Sequence, residues 1–246
     1  MSLLKILLKI LAAITIAAFL LHAKTSIKPV FLSGTVESIN PDEQGASAVK
    51  NLILNEPIEY KHLIATGTSS RCELHQDEVK YRLGSLTVAQ WLNKGAFFLN
   101  SGSAIICSEN LITINICSRN SRATFNGSGT LIIESLENGG YKLIPLEAKG
   151  KISTVKGGEI DLIGGRMLLV LGNPSYYGDA YDIDLMLLLR SSMLINAFPT
   201  PLPTFDKIGL AIYVQDLKLK GKYDALIGDA PTTEDLEIWR FGSPEK

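Results

Sequence analysis

Histidine and cysteine are scarce in this chain, three of each among 246 residues, beside two tryptophans and four methionines. That scarcity narrows the chemistry. Thiolate metal centres need paired cysteines at short spacing, and Cys72, Cys107 and Cys117 form no such pair. His62 and His75 stand near Glu73 and Asp77 without a His-x-x-x-His arrangement, and a serine triad built on either lacks a Gly-x-Ser-x-Gly turn. No Gly-x-x-x-x-Gly-Lys-Ser/Thr string occurs. The closest cluster, Asn126 to Thr130, runs into a β-branched strand and not into a helix N-terminus, so it has no dipole to hold phosphate. No cofactor is expected from these residues. Two carboxylate groups, Glu73 with Asp77 and Glu78 and Asp179 with Asp182 and Asp184, read as solvated turns and a helix start. A glycosidase pair needs two carboxyl groups about 5 to 10 Å apart in a cleft. Nor is there an excess of charge of one sign. The formal net charge is −1, and residues 1 to 23 hold two lysines and no acid, so nothing suggests a nucleic-acid footprint.

Long hydrophobic runs are also few. Met1 to Lys9 carries Lys5 and Lys9 and no acid, and Ile10 to Ala23 is apolar apart from Thr15 and His22. That run of about 14 residues falls short of the roughly 20 a helix needs to cross a bilayer core. The expectation is a secretory signal peptide over residues 1–23, cleaved after Ala23. Leu21 departs from the small-x-small cleavage pattern, which keeps a signal anchor open: a helix from Leu3, with Lys5 and Lys9 snorkelling to the headgroups, just spans. A buried core helix ranks third. No lipobox cysteine stands near the junction. The body is therefore expected outside the cytoplasm, periplasmic or in the cell envelope, and membrane-attached only if the N-terminal helix stays uncleaved.

What is plentiful is strand pattern and glycine. From Val30 to Leu171 apolar residues recur with period near two in short runs, among them Ser70–Leu74, Val79–Leu83, Leu86–Trp91, Ala96–Leu99, Ala104–Cys107, Leu111–Cys117, Ala123–Phe125, Thr130–Glu134, Tyr141–Leu146, Lys151–Val155, Glu159–Ile163 and Met167–Leu171. Glycines punctuate them. Strands this short and this many predict a sandwich, barrel or solenoid. Each cysteine sits in an apolar alternating run and reads as a small buried hydrophobe. The repeated Ile-Cys-Ser at Cys107 and Cys117 leaves a disulfide across neighbouring strands as the lesser alternative. Asp182 to Phe198 predicts a helix with acids first and Arg190 late, ended by Pro199, Pro201 and Pro203. A second helix follows over Phe205 to Leu217. Tyr176, Tyr177 and Tyr181 are expected in a loop between strands and helix. Packing of the helix ranks first for them, an aromatic ligand platform second. The tail from Lys218 to Lys246 is polar, with Trp239 and Phe241 able to dock it back.

One resemblance rests on a series of strings in order: Ile64-Ala-Thr-Gly67, Ser70-Arg-Cys-Glu-Leu74, Tyr81-Arg-Leu-Gly-Ser85, Leu99-Asn-Ser-Gly-Ser103, Ala123-Thr-Phe-Asn-Gly-Ser-Gly-Thr130, Lys142-Leu-Ile-Pro-Leu-Glu147 and Ile160-Asp-Leu-Ile-Gly-Gly165. On these, residues 60–172 resemble the FecR domain family of extracytoplasmic all-β modules. Thr66, Gly67, Arg71, Arg82, Gly84, Ser85, Gly102, Gly127, Thr130 and Gly165 carry the likeness. Gly127-Ser-Gly departs by one extra glycine. The sigma-regulating members begin with a cytoplasmic helical segment, whereas nine residues precede the apolar run here, so that role does not transfer. Asp182-Ile-Asp-Leu with Phe198-Pro-Thr-Pro-Leu-Pro203 looks like the extension of stand-alone exported members.

The expectation is an all-β fold, a FecR-like β-roll or short β-solenoid, with an α-helical C-terminal extension. Its parts are residues 24–59 leading in, 60–172 as the β domain, 173–217 as the helical extension and 218–246 as the tail. The expected role is a non-catalytic binding or scaffold module whose partner is an envelope protein or a glycan, met by a sheet face or an added edge strand. The alternatives are a carbohydrate-active enzyme on a solenoid and a membrane-anchored sensor.

Overall fold

The computed structural model describes residues 27–219, 224–227 and 237–240; the expected signal peptide with Ala23, and Phe241, lie outside them. The strands are β1 (Lys28–Ser33), β2 (Val36–Ile39), β3 (Val49–Asn51), β4 (Leu63–Thr66), β5 (Arg71–Gln76), β6 (Val79–Leu83), β7 (Val88–Asn93), β8 (Ala96–Ser101), β9 (Ser103–Cys117), β10 (Arg122–Ser135), β11 (Tyr141–Pro145), β12 (Lys149–Thr154), β13 (Gly158–Asp161), β14 (Arg166–Leu171) and β15 (Tyr176–Asp182). Helices α1 (Leu185–Ser191), α2 (Met193–Asn196) and α3 (Phe205–Leu219) follow, then the antiparallel pair β16 (Asp224–Ile227) and β17 (Glu237–Arg240). Mostly strand with C-terminal helices is what the apolar periodicity implies.

β9 and β10 form a long hairpin that belongs to two sheets at once. Its open end, Ala104–Cys107 with Gly129–Glu134, is flanked by β6 on one side and β11 on the other, and the sheet extends to β5 and β1 and to β14 and β15. Its turn end, Ile114–Cys117 with Arg122–Ser128, is flanked by β8 and β12 and extends through β7, β4, β2 and β3 and to β13. Every pairing named is antiparallel except that of β8 with β9. The bend falls where the register slips between Gly127 and Gly129. A Cβ on Gly127 would stand 2.7 Å from the Phe125 ring, and one on Gly129, at φ +105°, would stand 2.5 Å from Ala148 Cα. Only glycine lets the strands cross this closely.

The two runs expected around Asn126, and the two around Glu109, are thus single bent strands and not separate ones. Cys107 and Cys117 consequently lie on one strand, about 30 Å apart if it were straight, so no disulfide joins them. Cys72, Cys107 and Cys117 are all buried and free.

Alternate residues of the shared hairpin and of its neighbours β11 and β14 serve two cores. Ile106, Ile116, Phe125, Leu131, Ile133 and Leu143 point between the sheets and pack with Tyr81, Trp91 and Phe97, whose rings meet at centroid distances of 5.0 to 5.5 Å. Ile105, Cys107, Ile132, Ile144 and Met167 point outward, and Leu185, Leu188, Leu194, Ile195 and Ile208 cover them. β11 is therefore buried at every position. A strand covered on both faces loses its polar alternation.

The helix expected over Asp182–Phe198 is interrupted. Residues 176–182 remain strand, so the three tyrosines sit on β15 and not in a loop. Asp184 caps α1, accepting from Leu187 N–H at 2.9 Å. Ser192, extended at φ −73° and ψ 116°, then separates α1 from the single turn of α2.

Candidate functional site

Three tight connections meet at one end of the sandwich: Gly67–Ser70 between β4 and β5, Gly84–Thr87 between β6 and β7, and Gly102 between β8 and β9. Tight turns leave backbone groups without sheet partners, and hydroxyl side chains satisfy them here. Thr66 Oγ1 donates to the Gly84 carbonyl (2.5 Å) and accepts from Thr87 N–H (2.9 Å). Thr87 Oγ1 donates to the Ser103 carbonyl (3.1 Å) and accepts from Ser103 N–H (3.0 Å). Ser85 Oγ donates to the Gly67 carbonyl (3.2 Å) and accepts from Ser69 N–H (2.8 Å). The packing leaves no room for a side chain at Gly102, where φ is +82° and a Cβ would stand 2.6 Å from Thr87 Cα. Two residues on this rim, Ser69 at φ 55° and Leu86 at φ 53°, hold the left-handed conformation without being glycine. Each such residue costs on the order of 1–3 kcal/mol, and Leu86 is 54% exposed besides.

The curl of the long hairpin brings its own turn to the same end. Ser118 Oγ donates to the Gly139 carbonyl at 2.6 Å, and Asn120 N–H donates to it at 2.9 Å. Between the stapled turns, this junction and the start of α2 lies a groove of about 700 Å³. One wall is hydroxyl-rich, with Thr68, Ser69, Ser85, Ser101, Ser103 and Ser135; Leu86, Leu136, Met193 and Phe198 supply apolar surface; Arg71, Arg119, Lys142, Glu134 and Glu137 supply charge. Lys142 Nζ and Glu134 Oε2 pair at 3.0 Å, so that couple is neutral. Arg71 donates through Nε to the Ala197 carbonyl at 2.6 Å, which leaves its terminal nitrogens toward the groove. Arg119 is exposed.

Beneath the groove, Arg82 binds the helical extension to the sheet. Its side chain is fully buried. Nε donates to Glu73 Oε2 at 2.9 Å, and the terminal nitrogens donate to the carbonyls of Leu194, Ile195 and Thr200. The last carbonyls of a helix lack intrahelical partners, and α2 gives two of them to this cation. Phe198 lies 4.3 Å from the guanidinium carbon, ring face on.

A second buried polar group stands where β11 breaks into β12. Both Glu147 oxygens are buried without a well-formed hydrogen bond. Around them are Thr130 and Thr204, whose hydroxyls meet at 2.6 Å, and the Cys107 thiol, 3.8 Å from Thr204 Oγ1. Burial pushes the Glu147 carboxyl up from its ordinary value, and the Thr204 hydroxyl and nearby backbone only partly offset this. Burial likewise raises Cys107 and holds it as an inert thiol.

Of the residues singled out from sequence, Arg71, Gly84, Ser85 and Gly102 line the groove, with Thr66 and Gly67 directly behind it. Arg82 and Thr130 lie under the extension, Gly127 lies at the bend, and Gly165 packs against Gln215 and Leu185. The tyrosines divide. Tyr176 is exposed, Tyr177 packs on the main core with its hydroxyl donating to the Ile152 carbonyl at 2.7 Å, and Tyr181 packs on the second core. Glu73 is not in a solvated turn: it is 2% exposed and shared by Arg82 and His75, each at 2.9 Å. Asp77 pairs with Lys94 at 2.7 Å and Glu78 with Asn110. Among the described residues no group of three or more His, Cys, Asp or Glu is placed to hold a metal ion. Sequence reasoning missed Arg119, Lys142, Leu86 and Glu147 as site residues. The available signals were an apolar residue closing a Gly-Ser turn at Leu86 and an acid at the end of an otherwise apolar run at Glu147. No protein-family model, curated protein or solved structure matches the chain.

Proposed function

We propose that this chain is a non-catalytic, exported binding module of the cell envelope, with residues 60–172 forming a FecR-like roll. With no matching family model, that likeness rests on the ordered strings alone. The observation that carries the binding role is the groove itself, whose rim holds strained Ser69 and Leu86 while its lining contains no histidine, cysteine or aspartate. Strain of that kind persists only where the surrounding structure over-determines it, and it collects at ligand sites. An acid pair for glycoside chemistry is not supported by a groove in which Glu134 is neutralised by Lys142 and only Glu137 remains. Among the described residues, strand addition is discouraged at two of the four outer strands of the two sheets, β3 (Val-Lys-Asn) and β13 (Gly-Glu-Ile-Asp), which are short and charged, while the other two, β1 and β15, are longer.

The sensor reading turns on residues 1–23, since among the described residues no helix is long and apolar enough to cross a membrane. Intact mass of the protein recovered from soluble and membrane fractions separates the two: a soluble species beginning at Lys24 is expected, and a membrane species retaining Met1 or Ser2 overturns export as a free module. Binding is tested by sedimenting the recovered protein with envelope preparations from the cells that make it. Saturable retention, weakened by Arg119→Gln and accompanied by no released products, is the expected result. Retention indifferent to groove variants, or steady product release, sinks the proposal.

A further inference from the structure

We propose that the groove binds an oligosaccharide whose sugar units carry carboxylates, such as a uronic acid oligomer. This rests on the binding-module reading above and names its ligand. The hydroxyls of Thr68, Ser69, Ser101, Ser103 and Ser135 line the groove with no bond to another protein group, so they are available as paired donors and acceptors for ligand hydroxyls. The turns have already used Thr66, Ser70, Ser85 and Thr87 for their own backbone. The hydroxyls that remain are surplus to folding.

Charge selects among hydroxyl-rich ligands. With Glu134 neutralised by Lys142, the groove keeps two guanidinium groups, Arg71 and Arg119, against one carboxylate, Glu137. Arg71 is held through Nε by the Ala197 carbonyl, so its two terminal nitrogens are fixed in a plane suited to one carboxylate. Arg119 pairs with nothing among the described residues and is free to meet a second. Leu86 and Met193, both more than half exposed on the rim, present apolar surface to the C–H faces of sugar rings. The left-handed backbone at Leu86 places an apolar side chain in water at a position where glycine would fold without strain. Folding does not ask for leucine there; a contact to ligand does. An extended peptide fits this site less well, because it recognises sheet edges through unpaired backbone groups, and here the turn backbones are already capped.

The test is calorimetric titration of the full protein with an oligogalacturonate and with its carboxyl-reduced, neutral counterpart, each at low and at high salt. The acidic oligomer is expected to bind about tenfold or more tighter than the neutral one, with affinity falling as salt rises, as screening of partly exposed charges requires. Arg119→Gln is expected to remove most of that preference. Leu86→Gly separates function from folding: it is expected to raise the thermal midpoint by relieving strain and to lower affinity. Equal affinity for the acidic and neutral oligomers, or preference unchanged in Arg119→Gln, overturns the proposal. If neither oligomer binds but envelope retention still depends on Arg119, the ligand assignment fails while the binding-module reading stands. If retention is also absent, both fail.

Discussion

Arg82 shows what a single side chain does when burial removes every alternative partner. Its charge cannot be shed, so its worth lies in what it satisfies: one carboxylate and three carbonyls of a segment more than a hundred positions away in sequence. Removing one member of a buried pair strands the other, at a cost of about 3–5 kcal/mol. Arg82→Met is expected to lose stability of that order in urea titration at pH 7, and adding Glu73→Gln to recover part of it. A single-variant cost under about 1 kcal/mol would show the pair to be solvated. Glu147 makes the opposite case, a buried carboxyl with no cation. Its folded value lies above the ordinary 4.5, so between the two values the folded state holds the extra proton and stability falls as pH rises. Above the folded value the charged form carries the full burial penalty. Glu147→Gln is therefore expected to gain stability over the parent at pH 7 to 8 and little at pH 4, as read from thermal midpoints across that range. A gain independent of pH would mean that Glu147 is not the group that titrates.

At the scale of elements the glycine bend decides the architecture. Gly129 needs a positive φ and faces Ala148 Cα, whereas Gly158, at φ +66°, has open space around it. Gly129→Ala is expected to cost about 1–3 kcal/mol more than Gly158→Ala, because the added methyl overpacks the strand crossing, roughly 2–4 °C of thermal midpoint per kcal/mol for a chain of this size. Equal costs would place the constraint in φ alone and not in the crossing of strands. The same bend explains why the sequence is legible only in part. Periodicity of two locates Ala104–Cys107, Leu111–Cys117, Ala123–Phe125 and Thr130–Glu134 as strand, but a break between two runs, Ser108-Glu109-Asn110 or Asn126-Gly-Ser-Gly129, looks alike whether the chain turns back or merely slips register. The choice depends on what the partner strand does, and that is long-range information. Thr66, Ser85 and Gly102 announce themselves as turn chemistry and do build the groove rim. Arg119 and Lys142 do not: Arg119 reaches the groove only through the curl of a hairpin that no local string encodes, and Lys142 through its cross-strand pairing with Glu134. The helix over Asp182–Phe198 breaks at Ser192 for a similar reason: the one-turn α2 ends where its carbonyls meet Arg82, a partner invisible to helix propensity.

For the molecule as a whole, two apolar layers share one sheet, and they differ in what closes them. The main core lies between two sheets joined by the continuous β9–β10 hairpin, so it cannot open without breaking both strands. The second core is closed by the helical extension, which is held by Leu185, Leu188, Leu194 and Ile195, by the grip of Arg82, and by the single Arg71 bond to Ala197. Units of fewer contacts open at lower free energy than the whole. Cys72 and Cys107 report on the two layers separately, because Cys72 lies in the main core and Cys107 lies under the extension, both with no solvent exposure. In the native protein neither thiol is expected to react with a maleimide. In urea below the main transition Cys107 is expected to label first, with Leu194→Ala hastening Cys107 and leaving Cys72 protected. Labelling of both thiols in one step, unchanged by Leu194→Ala, would make the extension and the sandwich a single cooperative unit. The groove gives that distinction functional weight, since Met193, Leu194 and Phe198 form its third wall. An extension that opens on its own unmakes the groove while the sandwich stays folded, and a ligand bound there raises the cost of that opening by mass action. Saturating oligogalacturonate should therefore slow the labelling of Cys107 and leave Cys72 unchanged.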